Sequence, residues 1–190
     1  MNGSVMAPAA TGWVSLSDEK VFEAPIFSVG RELSRCLRTG VEHYFYYLNC
    51  GNWVTVVAVT PDDELVMIRQ YRHGSGAVEL EIPGGCIDAA DSDPVAAACR
   101  ELREETGYVG ENGRVIGKVN PNPALQGNTC YTVLLENCRR EGAPQLEDTE
   151  ELAAFTVPID NVGDLIGRGE ISHALILNAL HFFDLFRRRM

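Results

Sequence analysis

Three glutamates stand close together in the segment RELREE, residues 100–105. On a helix, side chains at positions i, i+3 and i+4 share one face, so Glu101, Glu104 and Glu105 would project toward the same side. Like charges placed in this way repel one another. The cluster therefore predicts a positive group among the carboxylates, either a basic side chain or a metal ion that prefers oxygen ligands.

The sequence around this cluster is typical of a helix that follows a structured loop. Asp93 suits the N-cap, Pro94 the first helical position and Gly107 the left-handed residue that ends a helix, which predicts a helix from about Pro94 to Thr106. A glycine pair, residues 84–85, and several aspartates precede it. RELREE alone would most often be an ordinary charged helix with i,i+4 ion pairs, but this context favours a site.

The spacing of these residues resembles the Nudix box, G-x5-E-x7-R-E-U-x-E-E-x-G-U, in which U is aliphatic or bulky and apolar. RELREETGY, residues 100–108, matches every specified position of the second half. The first half departs: counted from Gly85, the acidic position holds aspartate, and eight residues instead of seven precede the arginine. A surface loop can absorb one extra residue. In the family this acid holds the loop to the helix arginine, and three aspartates could do so: Asp91 as first choice, then Asp88 and Asp93.

The resemblance implies a fold, a reaction and a metal. The fold is α/β, an α/β/α sandwich with a mixed sheet, here with an N-terminal β-rich subdomain. The reaction is hydrolysis of a nucleoside diphosphate linked to another moiety, with Mg²⁺, or Mn²⁺ as a substitute. Mg²⁺ takes hard oxygen ligands and keeps waters and phosphate oxygens in its shell. The implied ligands are the Gly85 carbonyl, Glu101, Glu104 and Glu105, with Arg100 neutralising and orienting them.

Two stretches outside the box resemble the ADP-ribose and nucleoside diphosphate sugar pyrophosphatases. Upstream, VMIRQYRHGSGAVELEIPGG contains the Q-Y-R and L-E-x-P-x-G of that subfamily, which implies that Arg72 contacts substrate phosphate and that Glu81 lies at the edge of the metal site. Downstream, Pro123 stands at the proline position associated with ADP-ribose hydrolases. The alternatives are a surface salt bridge for Arg72, an outward-facing strand residue for Glu81 and an ordinary loop proline.

An acidic loop, QLEDTEE at residues 145–151, precedes a late predicted strand. ADP-ribose members of the family place a mobile glutamate there as the general base, and the resemblance offers Glu147, Asp148 or Glu150 for that role. A loop acid reaches the attacking water only when the loop closes. The alternative is a solvated acidic run, in which case Glu104 is the next candidate for activating the water.

These residues together predict a Mg²⁺-dependent pyrophosphohydrolase. Its substrate would be ADP-ribose or a related nucleoside diphosphate sugar, and its products a nucleoside monophosphate and a sugar phosphate. Two alternatives are a house-cleaning nucleoside triphosphate pyrophosphohydrolase and a non-catalytic Nudix module that binds a nucleotide. The three intact glutamates disfavour the module, because a binder has no need of all three.

Composition excludes several classes of partner. The 190 residues carry a formal net charge of −11, and 45% are hydrophobic, enough for a sizeable core. A negative surface argues against nucleic acid, whose affinity for proteins is built from Lys and Arg on phosphates. The sequence has no long apolar run that predicts a membrane span or an export signal, and six cysteines without metal-like spacing favour a cytoplasmic protein.

The elements that must position the site follow from periodicity and turns. Residues 1–11 are expected to be flexible, residues 12–50 to form an N-terminal β-rich segment that pairs in a homodimer, and residues 51–190 to form the hydrolase domain. The dimer is implied by the sugar-nucleotide members of the family, and a monomer with an extended sheet is the alternative. The turn TPDDE predicts that Trp53–Val59 and Leu65–Tyr71 pair as a hairpin.

Later elements are predicted along the remaining chain. Strands are expected at RVIGKV, NTCYTVLLEN and LAAFTVP, followed by a short helix at about residues 160–167. A final amphipathic helix, ISHALILNALHFFDLFRRR, closes the sequence. His173 and His181 fall on this helix and are expected to be packing or surface residues.

Overall fold

The computed structural model describes residues 12–146 and 148–189, so the predicted flexible segment 1–11 lies outside the described residues. Contacts within the chain divide it into two units. The smaller unit contains residues 12–50 together with Asn122–Gly127, and the larger contains Gly51–Pro121 and the described residues from Asn128 onward.

The smaller unit is a three-stranded antiparallel sheet of β1 (Trp13–Glu23), β2 (Ser28–Cys36) and β3 (Glu42–Asn49), in that order. The segment Asn122–Gly127 joins it at β3, where the Leu48 N–H donates to the Leu125 carbonyl at 2.8 Å. These strands confirm the predicted β-rich subdomain. Every residue of β1 is exposed, and the unit carries several exposed large apolar side chains: Trp13, Val21, Phe22, Ile26, Tyr44, Phe45 and Tyr46.

The larger unit contains two sheets and three helices. The four-stranded sheet has the order β7-β4-β9-β8 and is mixed, because β4 and β9 are parallel while the other pairs are antiparallel. The second sheet is antiparallel, in the order β10-β5-β6. The elements are β4 (Trp53–Ala58), β5 (Glu64–Arg72), β6 (Ala77–Glu81), β7 (Gly84–Cys86), α1 (Pro94–Thr106), β8 (Tyr108–Val119), β9 (Cys130–Arg140), β10 (Leu152–Pro158), α2 (Ile159–Gly167) and α3 (Ala174–Arg187).

Strand β4 places apolar side chains on both faces of the mixed sheet, and a helix packs against each face. Side chains alternate along a strand, so Val54, Val56 and Ala58 pack in one apolar cluster with Ala97, Ala98 and Leu102 of α1. Val57 points the other way and packs with Leu134 and with the apolar side of α3: Ile176, Ala179, Leu180 and Phe183. This is the predicted α/β/α arrangement.

The predicted hairpin between Trp53–Val59 and Leu65–Tyr71 is wrong. Strands β4 and β5 lie in different sheets, with an isolated bridge between Val59 and Leu65 at the turn that connects them. The reversal itself is present, since the Thr60 N–H donates to the Glu64 carbonyl at 2.9 Å. Turn residues mark a change of direction, but β4 takes a parallel partner from far along the sequence, and β5 takes β6 as its hairpin partner.

Helix α1 has the predicted bounds, and its caps explain them. Asp93 Oδ1 accepts hydrogen bonds from the N–H groups of Val95 and Ala96 at 2.8 and 2.9 Å. Gly107 has φ 72°, and its N–H donates to the Arg103 carbonyl at 2.9 Å. Both ends are therefore fixed locally, which sets the register of the helix glutamates. None of the described helices is long and apolar enough to span a membrane.

Candidate active site

Two glycines bring the backbone of β7 directly against the helix glutamates. Glu105 is only 3% exposed, and its Oε2 accepts a hydrogen bond from the Gly84 N–H at 3.0 Å. A Cβ atom added at Gly85 would stand 2.4 Å from Glu101 Oε1. The Glu101 carboxylate would have to move to admit that atom, so a side chain at residue 85 would displace a glutamate of the cluster, whereas a Cβ atom at Gly84 would meet the Val54 carbonyl of the backbone.

Arg100 lies at the centre of the acidic cluster. Its Nη1 donates to Glu101 Oε1 and to Glu104 Oε2, each at 3.0 Å. Its Nη2 donates to the Cys86 carbonyl at 2.9 Å and to Asp91 Oδ2 at 3.0 Å. Hydrogen bonding to Asp91 and the charges of the glutamates raise the pKa of the guanidinium. One arginine thus connects the loop, the strand end and two of the three glutamates.

Among the three loop aspartates, Asp91 is the principal partner of Arg100. Its two oxygens accept from Nε at 3.2 Å and from Nη2 at 3.0 Å, and the arginine lowers the pKa of this carboxyl. Asp88 is farther away, with Oδ2 at 3.5 Å from Nη2, and Asp93 caps the helix instead. Asp91 has a shorter side chain than the glutamate of the family pattern, and one more residue separates it from Arg100. It nevertheless reaches the arginine.

Two glutamates of the cluster have carboxyl groups that burial makes difficult to ionise. Burial raises the pKa of Glu101. It raises the pKa of Glu105 to about 8, with further contributions from the negative charges of Glu101 and Glu150. A hard divalent cation would stabilise the ionised form of these carboxyl groups, because it supplies the opposite charge and binds oxygen ligands. The donor set therefore fits such an ion in charge and in chemistry.

The carboxylates are nevertheless arranged around the arginine. Within residues 12–146 and 148–189, no three acidic, histidine or cysteine side chains form a group that could hold a metal ion as they stand. Glu101 and Glu104 are directed at Arg100 Nη1, and Glu105 at the Gly84 N–H. Binding a cation therefore requires these side chains to turn from their present partners.

A cavity of about 660 Å³ lies next to the glycine pair, which forms part of its wall. Arg72 and Glu81 also line it, and they form a bidentate pair: Nε to Oε1 at 2.7 Å and Nη2 to Oε2 at 2.8 Å. Glu81 is only 1% exposed, so the alternative of an outward-facing strand residue is wrong. Burial opposes its ionisation, but the hydrogen bonds from Arg72, with the nearby His173 ring, outweigh burial and lower the pKa of Glu81 to about 2.

The remaining predicted residues have separate positions. Glu150 is close enough for its charge to raise the pKa values of Glu101, Glu105 and Arg72, whereas Asp148 is exposed. The start of their loop is tied to α1, because the Gln145 N–H donates to the Glu104 carbonyl at 2.7 Å. Glu147 lies outside the described residues, and Pro123 is an exposed residue of the smaller unit.

His173 is a cavity residue that the sequence did not identify. It stands at the N-cap of α3 and not within the helix as expected; its Nδ1 lies 3.2 Å from Glu81 Oε2, and its partly exposed ring lines the cavity. The preceding Ser172 donates through Oγ to Glu79 Oε2 at 2.9 Å. No pattern in the sequence predicts these contacts, because they join β6 to the start of α3 and these two segments are far apart in the chain.

Comparison with known proteins assigns the family. A NUDIX domain model matches residues 52–180. The chain is 27% identical to an ADP-ribose pyrophosphatase of Mycobacterium tuberculosis over 170 residues, covering 86% of this chain and 79% of that protein. It is 25% identical to ADP compounds hydrolase NudE of Escherichia coli over 181 residues, covering 95% and 93%. A crystal structure of an ADP compounds hydrolase superposes with a TM-score of 0.83 at 22% identity, covering 96% and 97%. The chain belongs to the Nudix family and is a Nudix hydrolase.

Proposed function

We propose that this Nudix hydrolase cleaves the pyrophosphate bond of ADP-ribose or a related nucleoside diphosphate sugar in the presence of Mg²⁺. The products would be a nucleoside monophosphate and a sugar phosphate, and the proposed location is the cytoplasm. The observation that carries the proposal is the partly buried glutamate cluster, with Glu105 enclosed, beside a cavity of about 660 Å³. That volume lies in the usual range for small-molecule sites. The names of the two relatives support an ADP-linked substrate.

The proposed metal ligands are the Gly85 carbonyl, Glu101, Glu104 and Glu105. When bound, Mg²⁺ would offset charge on the diphosphate and lower the pKa of a coordinated water. Arg100 then keeps the loop and the end of β7 in a fixed relation to α1 through its hydrogen bonds to Asp91 and the Cys86 carbonyl. An acid of the loop 145–151 removes the proton from the attacking water.

Arg72 is proposed to bind the diphosphate. A guanidinium has five N–H donors, and two of them are used by the bidentate contact with Glu81. The other three can donate to phosphate oxygens, and the fixed carboxylate behind the guanidinium limits the number of orientations that it adopts. Pro123 remains a proposed substrate contact that rests on the family resemblance alone.

A substrate panel tests the function and its alternatives. The purified chain with Mg²⁺ is incubated with ADP-ribose, other nucleoside diphosphate sugars and nucleoside triphosphates, and phosphate released from the products by added phosphatase is measured. Preferred turnover of ADP-ribose or another diphosphate sugar is expected. Preference for triphosphates would favour the house-cleaning enzyme, and calorimetric binding without any product over hours would favour the non-catalytic module.

Removal of divalent ions is expected to abolish turnover, because the acidic cluster and the diphosphate would both lack their counter-ion. The measurement is the rate of ADP-ribose hydrolysis after treatment with EDTA and after addition of Mg²⁺ or Mn²⁺, either of which should restore it. Circular dichroism of the EDTA-treated protein controls for unfolding. Full activity in EDTA would contradict the metal assignment.

We also propose that the chain forms a homodimer through the β1-β2-β3 sheet. That sheet exposes aromatic side chains, including a Trp13–Phe45 edge-to-face pair with ring centroids 5.0 Å apart. A large exposed apolar patch is typical of an interface, and a second copy of this chain is the simplest occupant, because two-fold dimers are the commonest oligomers.

Sedimentation at micromolar concentration is therefore expected to give twice the chain mass of 20.8 kDa. Phe45→Arg and Tyr46→Arg lie at successive positions of β3 and so test the two faces of the sheet, and at least one should produce the monomer. Val115→Arg, at an exposed apolar position of the larger unit, is the matched control and should leave the mass unchanged. A wild-type chain that sediments only as a monomer would refute the dimer.

A further inference from the structure

Two consecutive residues before α3 hold two glutamates of β6. Ser172 Oγ donates to Glu79 Oε2 at 2.9 Å, and His173 Nδ1 lies 3.2 Å from Glu81 Oε2. Glu79 and Glu81 share one face of their strand, because side chains two residues apart point the same way. All four residues line the cavity of about 660 Å³. The cavity wall is thus fixed where α3 begins.

The contact with Glu81 decides which nitrogen of His173 carries a proton. Glu81 forms a bidentate hydrogen-bonded pair with Arg72, and this pair keeps the carboxyl ionised and its pKa low despite burial. Nδ1 forms no well-aligned hydrogen bond, but at 3.2 Å from Glu81 Oε2 a nitrogen lone pair would be repelled by the carboxylate, so this contact favours a proton on Nδ1. In the neutral ring, Nε2 then has a lone pair and accepts hydrogen bonds. This is the reverse of the neighbouring Arg72, which only donates.

Exposure of the ring indicates which edge a ligand meets. The Nδ1 atom is buried, whereas 37% of the His173 side chain is exposed. The exposed part therefore lies away from Nδ1, and the residue lines the cavity. Nε2, on the opposite edge of the ring, is the polar atom left to meet a bound molecule.

We propose that His173 determines specificity by accepting, through Nε2, a hydrogen bond from a donor group of the bound nucleoside diphosphate sugar. The inference rests on the proposed function and adds the orientation of its substrate. Ionised diphosphate oxygens carry no donor, so they suit Arg72 and not this nitrogen. A sugar hydroxyl and the exocyclic amine of adenine both carry one. Arg72 and His173 therefore bind different parts of the substrate. A substrate bound in the reverse direction would place its diphosphate against His173 and its donor group against Arg72, which disfavours that orientation.

The test compares His173→Asn with His173→Gln. The asparagine amide can still donate near the position of Nδ1 and so hold Glu81, but it has no atom at the position of Nε2. The longer glutamine amide can place an acceptor near Nε2. His181→Asn is the matched control, because His181 is an exposed histidine on α3. Substrates are ADP-ribose, its inosine analogue without the amine, and its 2-deoxy analogue in the terminal sugar.

For ADP-ribose, H173N is expected to raise KM about tenfold with kcat within about twofold of the wild type, since a ground-state hydrogen bond is lost. The wild type should discriminate about tenfold against one analogue, and this ratio should fall to near one in H173N and recover in part in H173Q. The analogue that shows the effect identifies the donor as the amine or the hydroxyl. H181N should behave as the wild type, and thermal unfolding should be similar for all variants.

Other outcomes overturn the inference in distinguishable ways. Wild-type turnover with unchanged KM and unchanged discrimination in both H173N and H173Q refutes the role of His173 and leaves the proposed function intact. A fall in kcat alone shows that the histidine acts through Glu81 and not on the ligand, which also refutes it. If the wild type neither hydrolyses ADP-ribose nor binds it in calorimetry, the proposed function fails, and the inference fails with it.

Discussion

Glu105→Gln and Glu101→Gln are each expected to lower kcat by at least about 100-fold at saturating Mg²⁺. Glutamine keeps the size of the side chain but loses the negative charge that the proposed metal site needs. Glu105 is buried and accepts a hydrogen bond from the Gly84 N–H, which the amide oxygen can also accept. The loss should therefore affect catalysis and leave the fold intact. Steady-state kinetics over a range of Mg²⁺ concentrations measures it.

Glu105→Gln should also change how the stability of the metal-free protein depends on pH. The folded-state pKa of Glu105 is about 8, above the ordinary value of 4.5, so the folded chain binds the extra proton between these limits. Stability of the metal-free wild type is therefore expected to fall as pH rises from about 4.5 to about 8. Glu105→Gln lacks this contribution and should show a flatter profile of melting temperature against pH.

Glu141→Gln is the control for both measurements, because Glu141 is an exposed glutamate that follows β9 and lies outside the acidic cluster. It should retain wild-type kcat and the wild-type pH profile. Normal turnover by Glu105→Gln and Glu101→Gln at saturating Mg²⁺ would exclude these carboxylates as metal ligands.

The second large effect is expected at the loop 145–151, where Glu150→Gln should lower kcat by about 100-fold or more with little change in KM or in Mg²⁺ dependence. A base acts on the attacking water in the transition state, whereas a metal ligand also acts in the ground state. Glu150 is preferred over the exposed Asp148 because its charge is felt by Glu101, Glu105 and Arg72. The backbone contact between Gln145 and Glu104 keeps the loop near α1.

Matched amides at the other two positions provide the comparison. Asp148→Asn is expected to be nearly normal because Asp148 is exposed, and Glu147→Gln completes the series. A collapse at Glu147 or Asp148 in place of Glu150 would assign the base to that residue. Three near-normal variants would refute the loop base altogether, and Glu104 would then be the next residue to test.

Local signals predicted helix α1 and its charges well. The N-cap, the proline and the terminal glycine all act within a few residues of the chain, so they gave the helix bounds without tertiary information. The preference for Asp91 as the partner of Arg100 agrees with the observed contact for the same reason, since the loop between them is short.

Features that depend on distant parts of the chain were predicted poorly. The pairing of β4 with β9 could not be read from the turn after β4, because a parallel partner is selected by burial on both faces of the sheet. Burial of Glu81 and the position of His173 depend on where α3 begins relative to β6. A strand of alternating residues gives no indication that one of its glutamates will be enclosed.

The segment Asn122–Gly127 has a consequence for the order in which the chain folds during synthesis. Strands β1, β2 and β3 leave the ribosome first, but the segment that completes their unit is made only after α1 and β8. The aromatic sheet is therefore exposed, without its last backbone partner, while much of the protein is still being translated. Nascent chains that stall before residue 127 are expected to be the aggregation-prone species in cells.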